Sequence, residues 1–140
     1  MNYYNEIKNK LIDNEVYKEV KDYSKNKNDL TTYYEVGKLL YEAGNKYEER
    51  TIKKYSKRLV IEVGKKYNKR TLFRMRQFYN MIEIQKVSPV ATKLMWSHYT
   101  EILSLSNINE INYSINITEE YNLSVRELRE RLKTKNIKYY

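Results

Sequence analysis

The sequence predicts an all-α fold, and three observations carry that expectation. Three Gly and one Pro in 140 residues are too few turn formers for a many-stranded sandwich or barrel. Apolar residues recur at spacings of three and four along most of the chain. Ser, Asn and Gly stand where those periodic stretches begin and end, as helix caps do. A chain of this length suits one domain, residues 1–140, able to hide roughly two-thirds of the surface its unfolded form exposes. Sixteen Tyr, one Trp and two Phe set it apart from the aromatic-poor composition of unstructured chains. It has no internal repeat and no clear linker.

In the N-terminal third, Ile7, Leu11 and Ile12 form one helical stripe. After an expected break at Asp13-Asn14, Val16, Val20 and Tyr23 continue at helical spacing. From about Asn28 to Ala43, Leu30, Tyr34, Gly37 and Leu40 or Tyr41 share a face; Gly37 is expected to allow close helix approach and Gly44 to end the helix as a left-handed cap. Residues 45–50 connect to a helix from about Thr51, apolar at Ile52, Tyr55, Leu59 and Val63 and ended by Gly64. Lys65-Lys66-Tyr67-Asn68 then leads to a helix over 69–84 capped by Asn68. Leu72, Met75, Tyr79 and Ile82 fall on one side of it and Arg70, Arg74 and Gln77 on the other. The pair 51–64 and 69–84 makes a helix-turn-helix pattern with a basic outer face. Val87-Ser88-Pro89 is expected to stop the second helix. Beyond it, Ser97 is the expected cap of a helix carrying Tyr99, Ile102, Leu103 and Leu105. Asn107 or Asn109 starts the next, with Ile111, Ile115 and Tyr121 packing, and Ser124-Val-Arg-Glu127 forms a capping box for the last, which runs to about Lys133.

The net charge of +9 is less informative than its distribution, because abundant Lys, Asn, Ile and Tyr also follow from an AT-rich coding sequence. Residues 1–50 hold nine Lys or Arg against ten Asp or Glu, residues 51–100 twelve against two, and residues 101–140 six against six. Between Lys53 and Tyr79, Lys53, Lys54, Lys57, Arg58, Lys65, Lys66, Lys69, Arg70, Arg74 and Arg76 face the single acid Glu62. Coding bias would scatter Lys without removing acids from one stretch, so a local demand for positive potential explains the pattern better than a merely solvated face.

The absence of Cys excludes disulfide frameworks, thiolate zinc sites and thiol catalysis, and the cytoplasm is the expected compartment. No run approaches the length of a membrane span, so no membrane partner is expected. A single His, no Gly-rich phosphate loop and no His pair argue against an enzyme, a metal or a cofactor. His98, between Ser97 and Tyr99 in an apolar setting, reads as a packing or capping residue. Glu6-Ile-Lys8 and Glu19-Val-Lys21 match the E-x-K element of metal-dependent nucleases only formally, lying in helical patterns with no P-D partner. Nucleic-acid binding asks less: cations along a phosphate track and a few donors for base edges. Arg70, Arg74 and Gln77 at i, i+4, i+7 are of the types that make bidentate contacts in the major groove. Lys53, Lys54, Lys57 and Arg58 on the preceding helix would hold phosphates, and Lys65, Lys66, Lys69 and Arg76 complete the expected nucleic-acid-binding set. Tyr67, Phe73 and Phe78 are candidates for stacking on single-stranded bases, although rings in amphipathic helices are more often core.

Five ordered blocks carry a family resemblance: Thr32-Tyr-Tyr-Glu-Val-Gly-Lys38, Tyr55-Ser-Lys-Arg-Leu59, Arg70-Thr-Leu-Phe-Arg-Met-Arg-Gln-Phe-Tyr79, Trp96-Ser-His-Tyr99 with Ile102-Leu103, and Leu123-Ser-Val-Arg-Glu-Leu128. Over about residues 32–133 the chain resembles the N-terminal domain of the family catalogued as domain of unknown function 1016, the YhcG-like proteins. It departs from the family at Tyr34, where Trp is usual, and in the segment from Gln85 to Lys93. The resemblance implies a helical DNA-binding module, followed in longer relatives by a PD-(D/E)XK nuclease domain, which is expected to be missing here. Two functions follow as expectations. The leading one is a non-catalytic nucleic-acid-binding module, for DNA rather than RNA. The alternative is a protein-binding module acting as subunit or inhibitor of a nuclease or other nucleoprotein complex, encoded by a mobile element. Nothing in the sequence sets the oligomeric state.

Overall fold

The computed structural model describes residues 1–20, 25–87 and 93–134, with backbone alone at 19–20 and 25–28. Among the described residues there are seven helices and no strand. They are α1 (Tyr3–Val20), α2 (Lys25–Tyr47), α3 (Arg50–Glu62), α4 (Lys69–Glu83), α5 (Trp96–Ile102), α6 (Ile108–Tyr121) and α7 (Val125–Thr134). The fold is all-α, as the spacing of apolar residues predicts. The chain divides into two units, Met1–Asn80 and Met81–Tyr140. Their boundary lies inside α4, where no change of composition marks it.

In unit 1, α1 packs on α2 and α2 on α3. Ile7, Leu11, Val36, Leu40, Ile52 and Leu59 are fully buried, one i,i+4 pair from each of the first two helices and one i,i+7 pair from α3. Gly37 allows the close approach expected of it. A Cβ there would lie 2.2 Å from the Met75 carbonyl oxygen and 2.9 Å from Tyr79 Cβ, so only glycine lets the α2 and α4 backbones meet at this point. Beside it Tyr34 and Tyr41 both pack on Tyr79, with ring centroids 5.4 and 5.5 Å apart. On α4 the buried side is Leu72, Met75 and Phe78, while Tyr79 is half-buried.

Three expectations for this unit are corrected. Helix α1 runs unbroken through Asp13-Asn14, because buried Asn14 donates its amide to Asp29 on α2 at 2.9 Å and so satisfies the polarity that suggested a break. Within that helix Val16 is exposed, not packed; the Val20 side chain and Tyr23 lie outside the described residues. Gly44 is not a cap either. Helix α2 passes through it to Tyr47, and Glu48, at φ 126°, makes the left-handed turn into α3.

In unit 2, α5 packs against α6 and α7 around Leu94, Tyr99, Ile102, Ile111, Ile115 and Leu128. Asn107 caps α6, accepting from the Asn109 amide at 2.7 Å. The box at Ser124 and Glu127 forms in both directions, at 2.8 and 3.1 Å. Ser97 does not cap α5. The helix starts two residues earlier, with Met95 as N-cap, because His98 accepts the Met95 N–H on Nδ1 at 2.9 Å. His98 is buried, and its Nε2 donates to the Leu123 carbonyl at 2.8 Å, tying the α5 start to the α6–α7 connection. Tyr121, expected to pack, is exposed with Arg131 over its ring. Helix α4 ends at Glu83, before the expected stop, with Lys86 in the left-handed region at φ 59°; Ser88 and Pro89 lie outside the described residues.

Candidate nucleic-acid interface

The basic segment occupies α3, the turn after it and the first turns of α4. Helix α3 buries Ile52, Ser56 and Leu59 on one side. Lys53, Lys54 and Lys57 are thereby set on the outer side, where all three are exposed. The turn from Val63 to Asn68 exposes Lys65 and Lys66 and buries Tyr67. Asn68 caps α4 as expected, its carboxamide oxygen accepting the Thr71 amide at 3.1 Å. Lys69 and Arg70 follow in the first turn of α4, both exposed, with no acid beside them. That placement costs helix stability, since the positive end of the helix dipole favours anions and repels cations. The fold therefore does not ask for them there.

Ion pairing sorts the ten cations into two sets. Arg58 pairs with Glu62 at 3.6 Å and lies 3.8 Å over the Tyr4 ring; Glu62 also accepts from Tyr4 at 2.7 Å and meets Lys8 at 3.0 Å. Those contacts, the Tyr4 and Lys8 hydrogen bonds foremost, hold the Glu62 carboxyl below its ordinary value. Lys66 pairs with Glu15, and Arg76 with Glu49. Arg74 is half-buried with an interaction of its own. The remaining six, Lys53, Lys54, Lys57, Lys65, Lys69 and Arg70, make no ion pair among the described residues. The base-edge stripe is corrected accordingly: Arg70 and Gln77 are exposed, whereas Arg74 sits deeper than the periodicity implies.

The turn itself is pinned from behind. Tyr67 donates its hydroxyl to Glu15, the carboxylate that also holds Lys66. Lys18 adds 3.8 Å and 3.1 Å ion pairs to Glu15 and Asp29 and donates to Tyr33 at 3.4 Å. Burial, then the Glu15 hydrogen bond, push the Tyr67 hydroxyl far above its ordinary value. Burial, with Asp29 next, raises Tyr33 to about 12. For Glu15, burial pulls upward, but the Lys66 and Tyr67 hydrogen bonds prevail and its pKa falls below 4.5. Tyr67 and Phe78 are thus core residues and not stacking platforms, and Phe73 is half-buried beneath Arg76. Nothing in the local sequence pattern marks Glu15, Glu49 and Tyr67 as partners of this surface. Glu15 and Glu49 lie outside the basic segment, and only the fold brings them to it.

With this geometry in place, comparison with known proteins is decisive on one point. Residues 7–138 match the DUF1016 N-terminal domain. The chain belongs to that family. The DUF1016 N-terminal domain match begins within α1, about one helix earlier than the sequence blocks reach, and includes the whole basic segment. No curated protein and no solved structure matches the chain. Among the described residues no group of three or more His, Asp or Glu could hold a metal ion, and no helix is long and apolar enough to cross a membrane.

Proposed function

We propose that this DUF1016 N-terminal domain is a non-catalytic nucleic-acid-binding module, for DNA rather than RNA, whose α3–turn–α4 segment works as a helix-turn-helix. The observation that carries the reading is the set of six exposed cations left without an acid, on two helices and the turn between them. The acids at hand are Glu62, at the end of α3, and Glu15 and Glu49 from outside the segment, and each of these carboxylates already holds at least one cation. Phosphate is the anion that fits the rest: regularly spaced, and favoured by the amide groups at the start of α4 beside Lys69 and Arg70. In this reading Lys53, Lys54 and Lys57 hold backbone phosphates, while Arg70 and Gln77 reach base edges in a major groove wide enough for a helix. The deep, narrow groove of an RNA duplex would not admit α4, which favours DNA. A non-catalytic role accords with His98, both of whose ring nitrogens are engaged inside unit 2.

Fluorescence anisotropy over a panel of labelled duplexes tests the assignment. Lys54→Ala should weaken all sequences alike, whereas Arg70→Ala should cost about 1–3 kcal/mol and relax preference at one base pair. Equal, sequence-independent losses would remove base reading from Arg70. No binding by the folded wild type would overturn the proposal and point to the protein-docking role instead.

A further inference from the structure

We infer that the basic surface of unit 1 takes a double strand, held through six cations, five on its phosphates and Arg70 in its groove, and not the stacked bases of a single strand. The inference rests on the nucleic-acid reading above and deepens its duplex docking, adding the exclusion of single strands by closed rings and the number of ionic contacts. Proteins that hold single strands combine a basic track with aromatic rings open enough for bases to stack on them. Here the rings interleaved with the free cations are closed. Tyr67, between Lys65 and Lys69, is 1% exposed, and Phe78, beside Gln77, is 2% exposed. Tyr55, between Lys54 and Lys57, is half-buried with its ring 5.5 Å from that of Tyr4. Phe73, one turn beyond Lys69, carries the Arg76 guanidinium 4.9 Å from its ring centroid.

Tyr47 is more open, at 48%, but it precedes α3, stands edge-on to Tyr3 at 6.2 Å and has Lys46 over its ring at 5.4 Å. Open cations with closed rings retain phosphate and offer little to an unpaired base. The cations are also held in place, on two helices and a turn anchored by the Tyr67–Glu15 bond. A fixed array suits a duplex, whose charges repeat about every 1.7 Å of axis, better than a flexible strand.

The ion pairs also set the number of contacts. Arg58, Lys66 and Arg76 are engaged by Glu62, Glu15 and Glu49, and Arg74 by a further contact, which leaves six of the ten. With Arg70 at a base edge, five of these meet phosphate, and at about −0.9 per phosphate the slope of log affinity against log salt on a duplex is about −5, against about −9 if all ten met phosphate. Between 50 and 200 mM salt this means roughly a 10³-fold loss of affinity and not 10⁵-fold.

The experiment is anisotropy with a labelled 20-base-pair duplex and each of its separate strands over that salt range. The proteins are wild type, a Lys53→Gln/Lys57→Gln double variant and Tyr47→Ala, each first shown to be folded by circular dichroism and melting. The expected result is binding at least about tenfold tighter to the duplex, with a slope near −5 that falls by about 2 in the double variant. Tyr47→Ala should bind as wild type does. Tighter binding to a single strand, or loss of binding in Tyr47→Ala, overturns the duplex inference and the major-groove docking of α4 with it, while binding of nucleic acid by the basic surface stands. A slope near −9 overturns the six-cation count. Absence of binding to any of the three probes by folded wild type overturns the nucleic-acid reading and the inference with it.

Discussion

Unit 1 contains 19 Lys or Arg against 11 Asp or Glu, and unit 2 eight against seven. The two also use polar groups differently. In unit 2, apart from the Arg129–Glu101 ion pair between α7 and α5, they chiefly serve the helix ends: Asn107, the Ser124–Glu127 box and His98 each satisfy backbone groups at a start or a connection. In unit 1 a side-chain network joins α1, α2 and the turn before α4, through Asn14, Glu15, Lys18, Asp29, Tyr33 and Tyr67. Unit 2 shows that helices of this composition fold with nearly balanced charge. The excess in unit 1 is therefore not a requirement of helix packing, and its network fixes the turn that joins the two helices carrying most of the basic segment.

Substitutions break or sharpen this contrast. The largest effect is expected for Gly37→Ala, which forces a Cβ against the Met75 carbonyl at 2.2 Å. Separating α2 from α4 should cost about 3 kcal/mol in urea unfolding. If the variant is as stable as wild type, the close approach does not hold unit 1 together. His98→Ala should cost about 2 kcal/mol by leaving the Met95 amide and Leu123 carbonyl without their partner. A negligible change would show that unit 2 depends on its apolar contacts alone.

Tyr67→Phe should cost about 1 kcal/mol, with a pH signature. The Glu15 carboxyl titrates below 4.5 in the folded chain because Lys66 and Tyr67 outweigh burial. A depressed acid stabilises fully above its unfolded value and loses that contribution as pH falls through its folded value. The urea midpoint of wild type should therefore drop below about pH 4.5, and Tyr67→Phe should flatten part of that drop. Identical pH profiles would detach the network from the turn. Gly44→Ala has the smallest expected effect and the opposite sign. Its Cβ would meet only Arg76 Nη1 at 3.5 Å and Ile52 Cδ1 at 3.8 Å, ordinary contacts. Replacing a mid-helix glycine should therefore raise stability by about 0.5–1 kcal/mol, and a loss in thermal melting would show the site to be tighter than it looks.

Much of the fold was legible because its signals are local. Asn68, Asn107 and the Ser124–Glu127 box cap helices through groups two or three residues away, and Leu72 and Met75 bury at the spacing that predicts it. Gly37 was readable as a close-approach residue since it sits mid-face in an apolar stripe. What failed depends on partners far along the chain. Asn14 looked like a helix breaker until Asp29 is seen to receive its amide, and Gly44 looked like a cap although α2 runs on beyond it. The basic segment was legible as a block, but not which of its cations are engaged. That depends on Glu15 and Glu49, which reach Lys66 and Arg76 only through the fold.

The most direct test of the central claim is a titration of the ¹⁵N-labelled protein with duplex DNA at low salt, following the amide resonances. The account predicts shifts concentrated in residues 53–77, strongest around Lys53, Lys57, Lys65, Lys69 and Arg70, with α6 and α7 unmoved. Shifts centred on α6 and α7, with that segment silent, would contradict it.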